Sequence, residues 1–498
     1  MPHASRPHVI GSVLPEHAEH ALAALARAPA ACALVELRAD RLRPADIAGV
    51  VRRSGRPLVV TVRRVDDGGR FEGSEEERSA ALEAALAAGA AFVDLEWNRP
   101  AAALRERELA RGRTILSDHG TPCTLDLLRE RVREMAALGP AALKVAAAPR
   151  DVDELLALRD VLAEHAREAA APPLAAFGLG RAGSLSRLLA PCWGSWATYG
   201  ALEPGAATGP GQLPAAEMVG MYDVLGISAA TKLYALVGSR VARSPSPAMH
   251  LAGYRAAGLD ARYFAIETDD LEAFVRLVEP EKGIGIAGFG VTMPFKEAAA
   301  RRSHVGDDLV RTSGAANTVL VGERGFTAYN TDGPAALDCL REHLEIRGAH
   351  VVVLGAGGTA RAVAAICVEE GARVSLVGRS PERAEEAGRA CGATVAPGLD
   401  GLDWDALVHA TPRGADGERF LDPALLTGRV VLDAVYAVRP TALVADARER
   451  GLAAIDGLTM LATQAALQFR RMTGYDAQRA LLRRAAEAWM RGIRLDAP

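Results

Sequence analysis

Eight short apolar runs, at residues 8–13, 33–37, 58–62, 91–95, 113–117, 141–146, 173–177 and 195–199, recur at a spacing of roughly 27 residues through the first part of the chain. Between them lie alanine- and leucine-rich segments with helical character, such as 75–88, 125–137 and 152–169. Strand and helix that alternate in this way predict parallel strands joined by helical crossovers, and eight such units close into a (β/α)8 TIM barrel over residues 1–225. An open doubly wound sheet is the alternative, and the count of eight disfavours it.

A barrel of this kind carries its chemistry where the strands end. The unusual polar residues of the first half fall there: Glu36, Arg38, Arg63, Glu96, His119 and Lys144. Lys144 stands out because it interrupts the apolar run AALKVAAA, where a charged ammonium is costly to bury and tends to lose its proton. A neutral, desolvated lysine attacks ketones. His119, in the sequence SDHG at the end of the preceding run, is placed to act beside it as general acid and base. A lysine that snorkels out of the barrel and a histidine that caps a loop form the plainer alternative.

The second half is organised by residues 350–383, HVVVLGAGGTARAVAAICVEEGARVSLVGRSPER. The continuous apolar run 351–354 suits a strand buried on both faces, and Gly355-Ala356-Gly357-Gly358 turns it into a helix at 359–370, followed by a second strand at 373–377. Such a turn aims unpaired amides and the positive end of a helix dipole at a phosphate. An NAD site would carry an acidic residue about twenty positions after the glycines. This chain carries Arg379 and Arg383 instead, which suits the 2′-phosphate of NADP. Four polar clusters precede this unit: SPSPAMH at 244–250, GVTMPFK at 290–296, GAANT at 314–318 and NTDG at 330–333. Taken singly each is an ordinary loop. Together, their hydroxyls and amides can grip a polyol, while Lys296 and Asp332 supply a charged pair that moves a proton beside a carbonyl.

At 498 residues with a hydrophobic fraction of 49%, the chain is long enough for two or three cores. A net charge of -4, spread along its length, leaves no basic stripe of the kind nucleic acid requires, so small molecules are the expected partners. The six cysteines are far apart and none forms a C-x-x-C pair, which argues against a metal site or a disulfide framework. No uncharged stretch is long enough to span a bilayer and the first residues lack a hydrophobic signal core, so a cytoplasmic protein is expected. A short hinge at 226–231 separates the halves. The second half divides into 232–333, a nucleotide-binding Rossmann-type region 334–455, and C-terminal helices 456–498 that return to the first of these.

The motifs ELRAD at 36–40, Arg63 with Asp67-Gly68-Gly69, His119, KVA at 144–146, GRAGSLSR at 180–187 and GPGQ at 209–212 resemble type I 3-dehydroquinate dehydratase over about residues 8–225. The resemblance implies that Lys144 forms a Schiff base with the substrate ketone, His119 moves protons, and Arg187 pairs with the substrate carboxylate. Glu36, Arg38, Arg63, Thr208 and Gln212 would line the pocket. Asp67 stands where a glutamate often supports the histidine and Thr208 where a serine often sits; Glu96 is the alternative support. The clusters of the second half, together with VHATPRG at 408–414, DAVY at 433–436 and GLTMLATQ at 457–464, resemble shikimate dehydrogenase over residues 232–498. That resemblance makes Lys296 and Asp332 the catalytic pair. It gives substrate to Ser244, Ser246, Thr292, Asn317, Tyr436 and Gln464, and NADP to Gly355, Ala356, Gly357, Gly358, Arg379, Arg383 and Thr411, with no metal. Gly290, Leu251, Gly378 and His409 depart from the usual pattern. The implied protein is bifunctional, dehydrating 3-dehydroquinate and reducing the product to shikimate. Two rivals stay open: a catabolic enzyme that oxidises quinate or shikimate with NAD, and a regulator that senses these metabolites, against which the four catalytic residues speak.

Overall fold

Each apolar run of the first half becomes a strand in the computed structural model, which describes residues 7–203, 205–280 and 282–492. The strands are β1 (His8–Val13), β2 (Leu34–Arg38), β3 (Leu58–Thr61), β4 (Phe92–Glu96), β5 (Thr114–Asp118), β6 (Ala142–Ala147), β7 (Leu174–Gly178) and β8 (Ala197–Ala201). All their pairings are parallel, in the order β7-β6-β5-β4-β3-β2-β1-β8. Between β7 and β8 no ladder forms. There the Trp196 amide donates to the Leu174 carbonyl at 2.8 Å and the Ala176 amide to Ser195 Oγ at 3.2 Å, so a side-chain hydroxyl helps to bring an almost closed barrel round on itself.

The crossovers are helical where the sequence supplies caps. Ser74 and Glu77 form a reciprocal capping box for the helix Glu75–Ala87, and Asp151 caps Val152–His165. Two expectations are corrected. The helix expected to run to residue 169 stops at His165, where the chain tightens into three-residue turns. The crossover after β4 holds only the 3-10 turns Pro100–Glu106 and Glu108–Ala110, because the extended backbone at Arg107 divides the segment into pieces too short for an α-helix.

One compact unit ends at Ala230 and a second begins at Thr231. The second contains two sheets. Strands β9 (Lys232–Gly238), β10 (Ala261–Glu267), β11 (Ile286–Val291), β12 (Val305–Gly306), β13 (Thr318–Gly322) and β14 (Gly325–Tyr329) form a mixed sheet ordered β10-β9-β11-β13-β14-β12. Strands β15 (His350–Leu354), β16 (Arg373–Val377), β17 (Thr394–Val395), β18 (Ala406–His409), β19 (Val430–Asp433) and β20 (Ala453–Ile455) form a wholly parallel sheet ordered β17-β16-β15-β18-β19-β20. That is the doubly wound order, with its switch point between β15 and β18.

As its unbroken apolar sequence requires, β15 is buried on both faces. Val351 and Val353 pack on Val363, Ala364 and Cys367 of the helix Gly358–Glu369, while Val352 and Leu354 meet Trp404, Leu426 and Leu443 on the other side. The helices Gly457–Thr473 and Arg479–Met490 set Leu458, Ala462, Ala465 and Leu482 against Met249 of the helix Ser246–Ala256, which lies in the same unit as the mixed sheet. Residues 493–498 of the expected C-terminal segment lie outside the described residues. No helix among the described residues is long and apolar enough to cross a membrane.

Candidate active sites

At the C-terminal ends of the barrel strands lies a cavity of about 450 Å³, lined among others by Glu36, Arg38, Arg63, Asp67, His119, Lys144, Arg187, Tyr199, Thr208 and Gln212. Lys144, on β6, does not occupy the apolar setting its neighbours in sequence suggest. Its Nζ lies 2.8 Å from Glu36 Oε1 on β2 and 3.0 Å from Asp94 Oδ2 on β4, and rests 4.2 Å over the Tyr199 ring. The resting lysine is thus one member of a buried ion-pair network. Burial works to raise the Glu36 carboxyl, but Lys144 and Arg38 outweigh it and hold it below the usual carboxylate range. Asp94 is drawn lower still, against its burial, by Lys144, Arg63 and the Ser117 hydroxyl at 2.6 Å.

His119 sits at the end of β5 with Nδ1 2.8 Å from Arg63 Nη1. Burial pushes the imidazole well below its ordinary value, and the cations Arg63 and Lys144 add to that, so the ring is neutral and able to take a proton. Among the described residues neither carboxylate expected to support it bonds the ring directly. Asp67 lines the cavity but pairs with Arg99 at 3.0 Å, and Glu96 is taken by Arg63 at 2.9 Å and by Arg78. The loop carrying Asp67 turns outward toward Arg99, whereas Asp94, one pleat inside Glu96, points into the barrel and fixes Arg63 at 3.0 Å. Asp94 escaped the sequence reading, although a carboxylate in the run AFVDLEW is the same signal that singled out Lys144.

Arg187 is buried, with its guanidinium 4.4 Å over the Phe177 ring and two long bonds to backbone carbonyls, Tyr199 O at 3.4 Å and Pro210 O at 3.3 Å. Its Nε has no partner, and burial lowers its pKa to about 10 with Glu36 opposing. Among the described residues no carboxylate pairs with it. A buried cation in this state is a receptor for an anionic group of a ligand. Arg38, paired with Asp40 at 2.7 Å, reaches the Thr208 carbonyl at 3.1 Å; Gln212 Oε1 accepts from the Thr208 amide at 2.8 Å, which ties the loop over the cavity mouth.

In the second unit, a cavity of about 430 Å³ is lined by Ser244, Ser246, Thr292, Lys296, Asn317, Asp332, Thr411, Tyr436 and Gln464, with Thr359 and Gln468. Lys296 Nζ lies 2.5 Å from Asp332 Oδ2 and 2.9 Å from Thr359 Oγ1. Asp332 opens the helix Asp332–Arg341 and is held from its other oxygen by Asn317 Nδ2 at 2.7 Å, which also binds Thr331 Oγ1 at 2.9 Å. Gln464 Nε2 donates to the same threonine at 3.1 Å, and Ser244 and Ser246 hydroxyls lie 3.1 Å apart. Thr359, which follows the glycine turn, was not foreseen. It joins the nucleotide fold to Lys296.

At Gly290, where the resemblance leads one to expect a polar side chain, the space is filled: a Cβ there would lie 2.6 Å from Tyr263 Oη and 3.0 Å from Gln468 Nε2. The glycine turn lies beside this cavity rather than among its lining residues. Gly355 takes φ +129° and abuts the Ala410 carbonyl, while Gly357 caps the helix in open space, so its amide end is bare and backbone approach is unhindered. Ala356 is half-buried beside it. Arg379 and Arg383 are exposed past the end of β16. Among the described residues Arg379 has no acidic partner, and Arg383 has Glu297 at 3.7 Å. A free cation there and bare amides at the helix start fit a dinucleotide with an added phosphate. Among the described residues no group of three His, Cys, Asp or Glu side chains is set to hold a metal.

The type I 3-dehydroquinase family model matches residues 12–229, and the shikimate dehydrogenase substrate binding domain matches residues 236–319. The chain is 29% identical over 485 residues to the chloroplastic bifunctional 3-dehydroquinate dehydratase/shikimate dehydrogenase of Arabidopsis thaliana, covering 90% of this chain and 79% of that one. It is 38% identical over 272 residues to the shikimate dehydrogenase (NADP(+)) of Halobacterium salinarum, covering 51% of this chain and 98% of that protein. Among solved structures, the Thermus thermophilus shikimate 5-dehydrogenase in complex with NADP(H) and shikimate is 33% identical, with a TM-score of 0.48, covering 52% of this chain and 100% of that one.

Proposed function

As this chain belongs to the shikimate dehydrogenase family through its second half and matches the type I 3-dehydroquinase family through its first, we propose that it catalyses two consecutive steps of the shikimate pathway. The first dehydrates 3-dehydroquinate to 3-dehydroshikimate, and the second reduces that ketone to shikimate with NADPH. The observation that carries the first step is Lys144 between Glu36 and Asp94, in one cavity with a neutral His119 and an unpaired Arg187.

Arg187 takes the substrate carboxylate and so sets the ketone over Lys144. The neutral His119 takes a proton from Nζ, which then attacks the carbonyl carbon; the imidazolium returns that proton to the carbinolamine hydroxyl, which leaves as water, and the ionised Glu36 and Asp94 stabilise the positive nitrogen of the iminium. That iminium is an electron sink. It acidifies the adjacent C–H, whose proton His119 removes, and the same imidazole returns the proton to the departing hydroxyl as water. Hydrolysis of the iminium releases the unsaturated ketone and regenerates Lys144.

In the second cavity, Ser244, Ser246 and Tyr436 suit the carboxylate end of the product, and Asn317, Thr292 and Gln464 its hydroxyls. NADPH, when bound, supplies the hydride to the carbonyl carbon. Lys296 gives a proton to the carbonyl oxygen and is left as a neutral amine, and Asp332 at 2.5 Å keeps its Nζ aimed there. Gly357, Gly358 and the helix start would hold the pyrophosphate, and Arg379 with Arg383 the 2′-phosphate. The six free cysteines suit a reducing compartment, which we take to be the cytoplasm.

The test is a coupled assay on the purified protein with 3-dehydroquinate and NADPH, in which stoichiometric shikimate and NADP are expected. Accumulation of 3-dehydroshikimate without NADPH oxidation would leave only the first half of the reading; no consumption of 3-dehydroquinate would leave only the second.

A further inference from the structure

Strand β18 ends on a residue that neither half-reaction uses. His409 is fully buried, pairs in register with Asp433 of β19, and packs its ring 4.4 Å from that of Phe420. Nδ1 lies 2.9 Å from Asp433 Oδ1, and Nε2 lies 2.5 Å from Thr411 Oγ1. Asp433 takes two further bonds, from the Val435 amide at 3.0 Å and the Thr441 hydroxyl at 2.5 Å. A carboxylate ringed by donors sets the tautomer of its neighbour: Nδ1 carries the proton and Nε2 accepts. The hydrogen that Nε2 accepts is that of the Thr411 hydroxyl. The Arg413 amide donates to Thr411 Oγ1 at 3.3 Å and uses one of its two lone pairs. The second stays available, and Thr411 lines the cavity that holds Lys296 and Asp332.

We propose that Asp433 and His409 form a positioning chain that locks the Thr411 hydroxyl as a hydrogen-bond acceptor for a donor on the bound dinucleotide. The inference rests on the reading of this cleft as an NADPH site. An unrestrained threonine hydroxyl offers its proton or its lone pairs as it rotates; here the proton is committed to His409, so the cavity meets an acceptor that needs no reordering when ligand arrives. At its nicotinamide end, the part that must lie beside Lys296 and Asp332, the dinucleotide carries two donors of the required kind, the primary carboxamide and the ribose hydroxyls.

NADPH binding to the full-length protein, followed by cofactor fluorescence, decides the matter with Thr411→Val, Thr411→Ser, His409→Phe and the Thr411→Val/His409→Phe pair, each checked for an unchanged melting transition. Thr411→Val is expected to weaken NADPH about fivefold, the weight of one neutral hydrogen bond, and Thr411→Ser to restore it. The double variant is expected to bind no worse than Thr411→Val, because His409 acts through that hydroxyl alone. The 3-acetylpyridine analogue of NADPH, which has no amide hydrogens, separates the donors: Thr411→Val leaves its binding unchanged if the carboxamide is the partner and weakens it equally if a ribose hydroxyl is. Wild-type affinity in Thr411→Val, or losses that add in the double variant, would overturn the proposal. Should His409→Phe not fold, the valine and serine variants still decide. A wild-type protein that bound no NADPH would instead overturn the cofactor reading on which the proposal stands.

Discussion

Replacing Lys144 by methionine removes the charge from the centre of the barrel network while keeping most of the side-chain volume. Two buried carboxylates then face the vacated position, but they are not left equally exposed to the loss. Asp94 keeps Arg63 at 3.0 Å and the Ser117 hydroxyl at 2.6 Å. Among the described residues Glu36 keeps only neutral partners within bonding distance, the Ser12 hydroxyl at 2.6 Å and Thr61 at 3.0 Å. Breaking a buried pair by removing one partner destabilises by about 3–5 kcal/mol, and with one carboxylate rather than two left uncompensated the lower end applies, about 3 kcal/mol at pH 7. The loss has a pH signature. In the wild type Glu36 is held below its ordinary range, so its contribution is present above about pH 4.3 and fades as pH falls through its lowered value. In the variant, burial without Lys144 pushes the Glu36 carboxyl the other way, so its penalty grows as pH rises and disappears as it takes up a proton. The gap between the two proteins is therefore widest at neutral pH and narrows as pH falls toward the ordinary carboxylate range, below which the wild-type contribution is lost as well. Urea unfolding of the whole protein at pH 7 and pH 4.5, with the barrel strands followed by hydrogen exchange, measures it. A Lys144→Met protein as stable as wild type at pH 7, or a gap that does not change with pH, would refute the assignment of the network's charges.

Borohydride added during turnover of 3-dehydroquinate is expected to attach substrate carbon to Lys144, as peptide mass mapping would show; label on another residue would remove the Schiff-base role. Arg379→Asp is expected to weaken NADPH by about 1.5–3 kcal/mol, the weight of a charge-assisted hydrogen bond, with a smaller change for NADH in the same titration. Lys144→Ala is expected to spare reduction of added 3-dehydroshikimate and Lys296→Ala to spare dehydration, since each lysine lies in its own compact unit; rates of the separate half-reactions in both variants test it.

The strands were legible because a parallel barrel buries both faces of every strand, and continuous apolar runs such as LVVT at 58–61 mark them to within two residues. The βαβ unit was legible for the same reason, with its glycines as punctuation. What the sequence hid was partnership. Nothing local separates Asp94, which meets Lys144, from Glu96, which meets Arg78, since both are carboxylates two positions apart on one strand and both also bind Arg63. Likewise the apolar neighbours of Lys144 in the chain say nothing of Glu36, which arrives from a strand more than a hundred residues earlier. The helix missing after β4 was masked by alanine-rich composition, which favours helix but gives no sign of the extended break at Arg107.

The filled space at Gly290 also constrains the order in which this cleft can change over generations. A mutation that restores a branched polar side chain there drives its first carbon into Tyr263 Oη, whichever side chain follows, and so is selected against while the phenol is present. Loss of that hydroxyl must come first, yet Tyr263→Phe alone strips Gln468 Oε1 of a donor at 3.1 Å and leaves it with His250. Position 290 and the Tyr263 hydroxyl are therefore coupled: a side chain at the first needs the second gone, and Gln468 Nε2 at 3.0 Å would have to give way as well.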